Sequence, residues 1–471
     1  MSNDILKNDL LKEEIHVAKI KGLTAFVLPK KGFRRKYAEV FVRYGSNDNA
    51  FIPPGETERV DVPPGIAHFL EHKMFEKPWG EAFSAFAKIG ASANAYTSNN
   101  YTSYLFWTLE NFNQATKLLM EVALSPFFTE ESVAKEQGII GQEIGMYNDD
   151  PGSRLLREAM EALYSKHPVR FDIAGTKESI SQITDELLYK CHRTFYRPSN
   201  MSIFVSGDFA PEEAFEAISE GMTDSLLEPY VRESTDRPGD KSANEAGGSS
   251  GGVDDGFGND LRVSDDIPQR IRPVEPPGIG KDRDREVSLP VPTPLIHIAW
   301  KDDPPGSNGV DMLTQELAAS VLLDMLFGKS SAFFTQVYEE GLIDTLHSSY
   351  EAWPDYAYVS MFGQSSAPEK FSERVWEHIE AVSSSPQKQA DLEEDFLRIK
   401  KSSLGRYVTL FDSFDTVGQI QAHLHDYGLD VFSYGEILKN LSMDSVLWRL
   451  RRLWRERSVR VIVRDRAQRR K

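Results

Sequence analysis

A break in composition between Arg232 and Glu286 divides this 471-residue chain into two parts. The stretch is rich in Gly, Ser, Asp and Pro and poor in aromatic and β-branched residues, so it buries too little apolar surface to offset the entropy lost on ordering. Connections longer than about 15 residues are uncommon inside a compact domain. We therefore predict a flexible linker at 232–286, between a first lobe at 1–231 and a second lobe at 287–471.

The two lobes contain strand-like and helical segments in a similar order. The first lobe opens with IHVAKIKGLTAFVLP, continues through helices and the strands ASANAYTS and YTSYLFWTL, and closes with the strand MSIFVSGD. The second lobe runs from the strand PLIHIAW through the helix MLTQELAASVLLDMLF to a last strand, VRVIVRD. This repetition predicts an α+β fold of two similar, duplicated lobes, each a mostly antiparallel sheet with helices packed on it.

Charge and cysteine content exclude several classes of protein. The chain has 54 basic and 72 acidic residues, a formal net charge of −18, and such an acidic surface repels nucleic-acid phosphates. The single cysteine, Cys191, rules out an intramolecular disulfide. The sequence begins without a signal-peptide core, and no window is apolar enough for a membrane span. We expect a cytoplasmic protein that binds neither nucleic acid nor membrane and whose charge suits a basic or neutral polypeptide partner.

Basic residues concentrate in the tail that starts at Arg449. Eleven basic side chains there accompany only two acids, Glu456 and Asp465. A patch of this kind can bind nucleic acid or an acidic partner. It is more often the solvated face of a last helix and strand, which is the interpretation favoured for this tail.

The sharpest chemical signal is the pentapeptide His68-Phe69-Leu70-Glu71-His72. On a helix, at about 100° per residue, His68 and His72 lie about 40° apart, and Glu71 stays within the same third of the surface. Two imidazoles four residues apart can bind one zinc ion, and the carboxylate between them can take a proton from water on the metal. The pattern is the inverted H-x-x-E-H arrangement of zinc peptidases.

A catalytic zinc ion of this class needs a third protein ligand. The predicted helix at KEQGIIGQEIGMYNDD offers Glu136 and Glu143, which are seven residues or about two turns apart and share one face. Most glutamates on helices are solvated surface acids, and these two can be so as well. The small and apolar residues between them are instead typical of a buried helix, where a carboxylate needs a cation or a metal.

Four segments of the first lobe occur in an order that resembles a known family. They are the pentapeptide, ASANAYTS followed by TSYLF, AKEQGIIGQEIGMYNDDP, and YRPSNMSIFVSGD. Together they resemble the pitrilysin and insulinase family of zinc peptidases, and the first and third are most similar to its YmfH-like branch in Gram-positive bacteria. In the second lobe, LFGKSSAFFTQVYEEGLIDTLHSSY resembles the family's inactive repeat and lacks H-x-x-E-H. The linker departs from the family pattern because it is longer and richer in Gly.

The resemblance implies a role for each residue of the candidate centre. One zinc ion per chain is expected, bound by His68, His72 and Glu143. Glu71 is the implied general base, and Glu136 is an implied carboxylate behind the metal ligands.

The resemblance also implies a substrate strand, since the segment with Asn94 and Ala95 lends its edge to the substrate backbone. The predicted function is therefore a zinc endopeptidase that cleaves short or unfolded polypeptides, because folded proteins offer no free strand. The alternative is a non-catalytic peptide-binding or assembly subunit that retains the peptidase fold. In either case we expect a dimer, formed with a second copy of the chain or with a relative that lacks the motif.

Overall fold

The computed structural model describes residues 4–230, 267–280 and 282–466. These residues divide into two compact units. The first unit takes in the chain up to Glu136 together with Gln182–Ile271, and the second takes in Gln137–Ser181 and the chain from Arg272. Most of the predicted linker, residues 232–266, lies outside the described part of the chain.

A seven-stranded sheet organises the first unit. The strands of this unit are β1 (Asp4–Asn8), β2 (Glu13–Ile20), β3 (Leu23–Pro29), β4 (Lys36–Val42), β5 (Ala50–Ile52), β6 (Val60–Asp61), β7 (Glu76–Lys77), β8 (Gly80–Glu81), β9 (Ala91–Thr97), β10 (Thr102–Thr108), β11 (Met201–Gly207) and β12 (Gln269–Arg270). The main sheet has the order β1-β2-β3-β11-β4-β10-β9. Strands β4 and β11 are buried along almost their whole length, as their Val, Ile, Phe and Tyr content predicts for central strands.

Nine helices occur between the start of the described chain and residue 230. They are α1 (Ile66–Lys73), α2 (Ala82–Lys88), α3 (Phe112–Leu124), α4 (Glu130–Asp149), α5 (Pro151–Leu163), α6 (Lys177–Ile180), α7 (Asp185–Phe195), α8 (Pro211–Gly221) and α9 (Asp224–Leu227). Helix α4 is unbroken where the two units divide, and α5 and α6 belong to the second unit. The helices α3 and α8 pack on each other beside the seven-stranded sheet.

A five-stranded sheet organises the second unit. Its strands are β13 (Asp284–Ser288), β14 (Leu295–Asp302), β15 (Thr345–Trp353), β16 (Tyr356–Gln364) and β17 (Ser458–Arg464). The helices that follow in the chain are α10 (Gly309–Phe327), α11 (Ala332–Glu339), α12 (Pro368–Ser383), α13 (Pro386–Asp391), α14 (Glu393–Leu410), α15 (Phe414–His425), α16 (Val431–Asn440) and α17 (Met443–Leu450). Helix α10 is apolar around most of its circumference and lies in the centre of the hydrophobic core.

The two sheets repeat one topology. Five strands of the first sheet have the order β3-β11-β4-β10-β9, and the second sheet has the order β13-β17-β14-β16-β15. In both, the first two strands are parallel and the other neighbours are antiparallel. The predicted α+β fold of two similar lobes is thus confirmed. Helix α10 occupies the place between β14 and β15 that α1 occupies between β4 and β9, but it carries no pair of histidines.

Helix α5 explains why the compact units differ from the predicted lobes. Asp150 caps the helix by accepting a hydrogen bond from the Ser153 backbone N–H. Leu155, Ala159 and Leu163 follow at four-residue spacing and are buried against strands β14 and β17 of the second unit. The predicted lobe at 1–231 places this helix with the first sheet, whereas its apolar face belongs to the core of the second.

The described end of the predicted linker contains regular structure. Strand β12 pairs with β5, and Arg270 forms an ion pair with the buried carboxylate of Asp48 at 3.1 Å. Further along, β13 pairs in parallel with β17. Composition alone predicts flexibility here, because short strands that pair with distant segments leave no local periodicity.

Glu275, also within the predicted linker, is anchored in the second unit. Its carboxylate accepts hydrogen bonds from Lys301 Nζ at 2.7 Å and from the backbone N–H groups of Ser165, Lys166 and His167. Burial alone raises the pKa of Glu275, but the hydrogen bonds from Lys301 and from these N–H groups outweigh it and lower the pKa to about 2.

We expect Glu275→Gln to lower the free energy of unfolding of the second unit by about 2 kcal/mol at pH 7, since hydrogen bonds to a charged group are lost. The folded-state pKa of about 2 lies below the ordinary 4.5. The ionised group therefore stabilises the fold above pH 4.5, and this contribution is lost as the pH falls towards 2. Denaturant unfolding at several pH values measures it, with the exposed Glu339→Gln as control. A difference between Glu275→Gln and parent that persists unchanged at pH 2 contradicts this account.

No single helix of the described chain is both long enough and apolar enough to cross a membrane. Helices α10 and α11, bent by 42° at their junction, meet the length and composition criteria only as a pair. Most of the apolar side chains of α10 are buried in the protein core.

Candidate active site

The candidate centre is built on the short helix α1. Gly65, with a φ of +95°, starts the helix in a backbone conformation that side-chain-bearing residues rarely adopt. Phe69 and Leu70 are fully buried and fix one face of the helix in the core. His68 and Glu71 are also buried, which holds their polar groups in a fixed position beside the sheet.

His68 and His72 lie side by side on α1, as their spacing predicts. Their ring centroids are 4.6 Å apart, and the ring planes are inclined by 61°. The His72 side chain is 27% exposed, so the pair is open to solvent on one side. A buried imidazole next to a partly exposed one suits a metal site that a water molecule or a substrate must reach.

Glu136, on the second turn of α4, contacts the side of His72 that carries Nδ1. The distance from Nδ1 to Glu136 Oε1 is 3.0 Å. Burial raises the pKa of Glu136, but the hydrogen bond and charge of His72, together with the charges of Lys73 and Lys135, outweigh it and hold the pKa below its usual value. A carboxylate that accepts a hydrogen bond from one ring nitrogen fixes the orientation of the imidazole.

Glu143 follows Glu136 by two turns on the same unbroken helix. One ligand atom each from His68, His72 and Glu143 lies within 4.8 Å of the others. Among the described residues, this is the only group of three or more His, Cys, Asp or Glu side chains placed in this way. The Tyr147 hydroxyl donates a hydrogen bond to Glu143 Oε1 at 2.6 Å. Two imidazoles and one carboxylate are a donor set that fits zinc with a position left open.

Glu71 lies one turn after His68 and faces strand β9. Its Oε2 atom accepts a hydrogen bond from the Thr97 hydroxyl at 2.9 Å. Glu71 also adds to the electrostatic environment of Tyr104, whose pKa is raised first by burial and then by Tyr196 and Glu71. The carboxylate is thus buried and held by a hydroxyl group of the neighbouring strand.

Strand β9 lies at the edge of the seven-stranded sheet. Asn94 is exposed and Ala95 is half-buried. They pair with Leu105 and Tyr104 of β10, and because successive residues alternate, their side chains are on opposite faces. The N–H and C=O groups of successive strand residues also point to alternate sides, so one of these two residues bonds to β10 and the other presents its main-chain groups at the open edge, to which another strand can add.

Sequence reasoning missed Thr97 and Lys73. Thr97 is 26 residues from Glu71, and only the pairing of β9 reveals that the two meet. Lys73 is buried and forms an ion pair with Glu76. A buried lysine directly after the motif is a signal of a structured charge network, since an unpaired ammonium is rarely buried.

Two protein-family descriptions match consecutive parts of the chain and show which family it belongs to. The family description "Insulinase (Peptidase family M16)" matches residues 36–177, and "Peptidase M16 inactive domain" matches residues 182–395. The chain belongs to the insulinase family of peptidases, family M16. Its H-x-x-E-H motif lies in the part matched by the first description, and the second lobe begins within the part matched by the inactive-domain description.

Similar M16 proteins cover most of the chain. The uncharacterized zinc protease YmfH of Bacillus subtilis is 39% identical over 79% of this chain and 78% of its own length. The crystal structure of an M16-like peptidase from Alicyclobacillus acidocaldarius superposes with a TM-score of 0.83 at 30% identity, covering 97% of this chain and 99% of that one. A protease from Helicobacter pylori shares the fold, with a TM-score of 0.71 at 17% identity over 96% and 99% of the two chains. The predicted family and YmfH-like branch are thus confirmed.

Proposed function

We propose that this M16 chain is a zinc-dependent endopeptidase that hydrolyses peptide bonds in short or unfolded polypeptides. The observation that carries the proposal is the group of His68, His72 and Glu143, whose ligand atoms lie within 4.8 Å of one another, with Glu71 on the same helix as the two histidines. Names of relatives such as the zinc protease YmfH agree with this chemistry.

The three ligand residues would hold one zinc ion per chain. When bound, zinc lowers the pKa of a coordinated water and polarises the substrate carbonyl. Glu136 accepts the hydrogen bond from His72 Nδ1, which leaves the lone pair on Nε2.

Glu71 is the proposed general base. Its carboxylate takes a proton from the attacking water and returns it to the amine that leaves. A buried carboxylate held by the Thr97 hydroxyl performs this transfer without first having to be oriented.

The main chain of Asn94 and Ala95 is the proposed substrate contact. An extended peptide that adds to the edge of β9 is held by backbone hydrogen bonds, independent of most of its sequence. A folded protein has its strands already paired and does not fit this edge.

The test compares two forms of one substrate protein, native and irreversibly unfolded by reduction and alkylation. We expect cleavage at internal bonds of the unfolded form, loss of cleavage with a chelator, and recovery with added zinc. Cleavage of both forms at equal rates excludes strand addition as the basis of selection. Removal of terminal residues alone excludes an endopeptidase.

We further propose that the chain works as a dimer, either with itself or with a motif-lacking M16 relative. Light scattering on the purified chain distinguishes the two. A dimer mass supports the first, and a monomer that dimerises only with such a relative supports the second.

A further inference from the structure

Thr97 ends strand β9 on the face that carries the candidate centre. In the β9–β10 pairing, Thr97 lies opposite Thr102 and Ala95 lies opposite Tyr104. Side chains alternate between the two faces along a strand, and residues directly opposite each other in an antiparallel pair share a face. Thr97 and Ala95 therefore lie on one face with Thr102 and Tyr104, while Tyr96 lies on the other.

The hydroxyl of Thr97 has a defined donor direction. It donates to Glu71 Oε2 at 2.9 Å and lies 3.5 Å from the hydroxyl oxygen of Thr102. Thr102 is fully buried and donates its own proton to the Tyr44 carbonyl at 2.8 Å. Because a threonine hydroxyl has one proton, the shorter contact with a charged acceptor receives it.

The opposite face of the strand keeps Thr97 in place. Tyr96 donates to Glu39 Oε1 at 2.8 Å, and the buried Glu39 carboxylate also accepts hydrogen bonds from Tyr37 and Ser103. The last residues of β9 are thus tied to β4 and β10 by a buried polar network. A donor on a rigid strand fixes the direction of its acceptor better than a donor on a loop.

We propose that Thr97 is a positioning residue that holds the Glu71 carboxylate in the orientation required for proton transfer. The proposal rests on the endopeptidase function above. Thr97 does not touch the reacting atoms, so its effect on the reaction passes entirely through Glu71. Substrate binding at the edge of β9 and zinc retention by the three ligands do not depend on this hydroxyl.

The test uses a matched pair of variants on zinc-loaded full-length protein. Thr97→Val removes the hydroxyl at nearly constant volume, and Thr97→Ser keeps it. We expect kcat to fall about 10- to 100-fold in Thr97→Val, the range typical of lost supporting contacts, with KM and zinc content unchanged. Thr97→Ser keeps the hydroxyl that donates to Glu71, so its kcat should stay within about threefold of the parent value.

Thr108→Val is the control, because Thr108 lies at the other end of the same hairpin and its hydroxyl donates a hydrogen bond to the Glu110 carbonyl. Equal kcat in parent and Thr97→Val overturns the proposal, as does an equal loss of kcat in Thr97→Val and Thr97→Ser.

Crystal structures of the zinc-loaded parent and Thr97→Val give a readout without turnover. The Glu71 carboxylate should rotate or become disordered in the variant, and an unchanged carboxylate overturns the positioning role. If the parent cleaves nothing, the endopeptidase function fails by itself, while these two structures still decide the role of Thr97.

Discussion

Replacing Glu71 by glutamine should lower kcat for peptide cleavage by about 10²- to 10⁴-fold, the range that general acid–base catalysis contributes. The amide is nearly the same size as the carboxylate but has no basic oxygen to take a proton from water. Zinc content should stay at one ion per chain, because Glu71 is not in the group formed by His68, His72 and Glu143. Steady-state kinetics and metal analysis on the same preparations measure both quantities.

The exposed Glu110→Gln controls for the loss of one negative charge and should behave as the parent. A Glu71→Gln protein that retains kcat within tenfold of the parent assigns proton transfer to another group. A variant that instead loses its zinc makes Glu71 a ligand and removes the proposed general base.

Glu143→Gln and Glu136→Gln should differ in zinc retention. The two glutamates lie on one helix and undergo the same change, so helix propensity and net charge are matched. Loss of a carboxylate behind a metal ligand typically weakens metal affinity about 10- to 100-fold. We expect this range for Glu136→Gln, through its contact with His72, and a larger loss for Glu143→Gln, which removes a ligand.

Competition with a chelator of known zinc affinity measures both variants. Equal losses, or a larger loss for Glu136→Gln, contradict the assignment of Glu143 as the third ligand. Activity restored to Glu143→Gln by excess zinc supports a defect in binding and not in folding.

The centre of the site is predictable because its spacing is local. His68, Glu71 and His72 are close in sequence, and helical geometry alone places them on one side of α1. The shared face of Glu136 and Glu143 follows in the same way from their seven-residue spacing. The roles of metal ligand and general base follow from the resemblance and not from the spacing.

Contacts between distant segments are not predictable from spacing. The arginines of the tail show this, since the interpretation as a solvated face is wrong for Arg449, which is buried and paired with Asp302. Arg455 is half-exposed, in agreement with that interpretation, but it also donates two hydrogen bonds of 2.7 Å to the Glu373 carboxylate. A count of tail acids misses these partners because they come from other strands and helices of the second unit.

The order of the elements predicts the duplication, but it does not predict against which sheet each helix packs. Helix α5 is amphipathic by sequence, and this pattern states only that one face is buried, not against which sheet. Glu275 gives a second example. The Pro- and Gly-rich sequence around it predicts a linker, but its carboxylate forms an ion pair with Lys301. Tertiary contacts decide both cases.

Zinc-dependent cleavage of a peptide library tests the central claim most directly. The parent chain is loaded with one equivalent of zinc, incubated with unstructured peptides, and the products are identified by mass spectrometry, with a chelator-treated sample alongside. We predict new termini at internal bonds that form only in the zinc-loaded sample. A chain that binds one zinc ion and cleaves none of the peptides contradicts the account and favours a peptide-binding subunit that retains the peptidase fold.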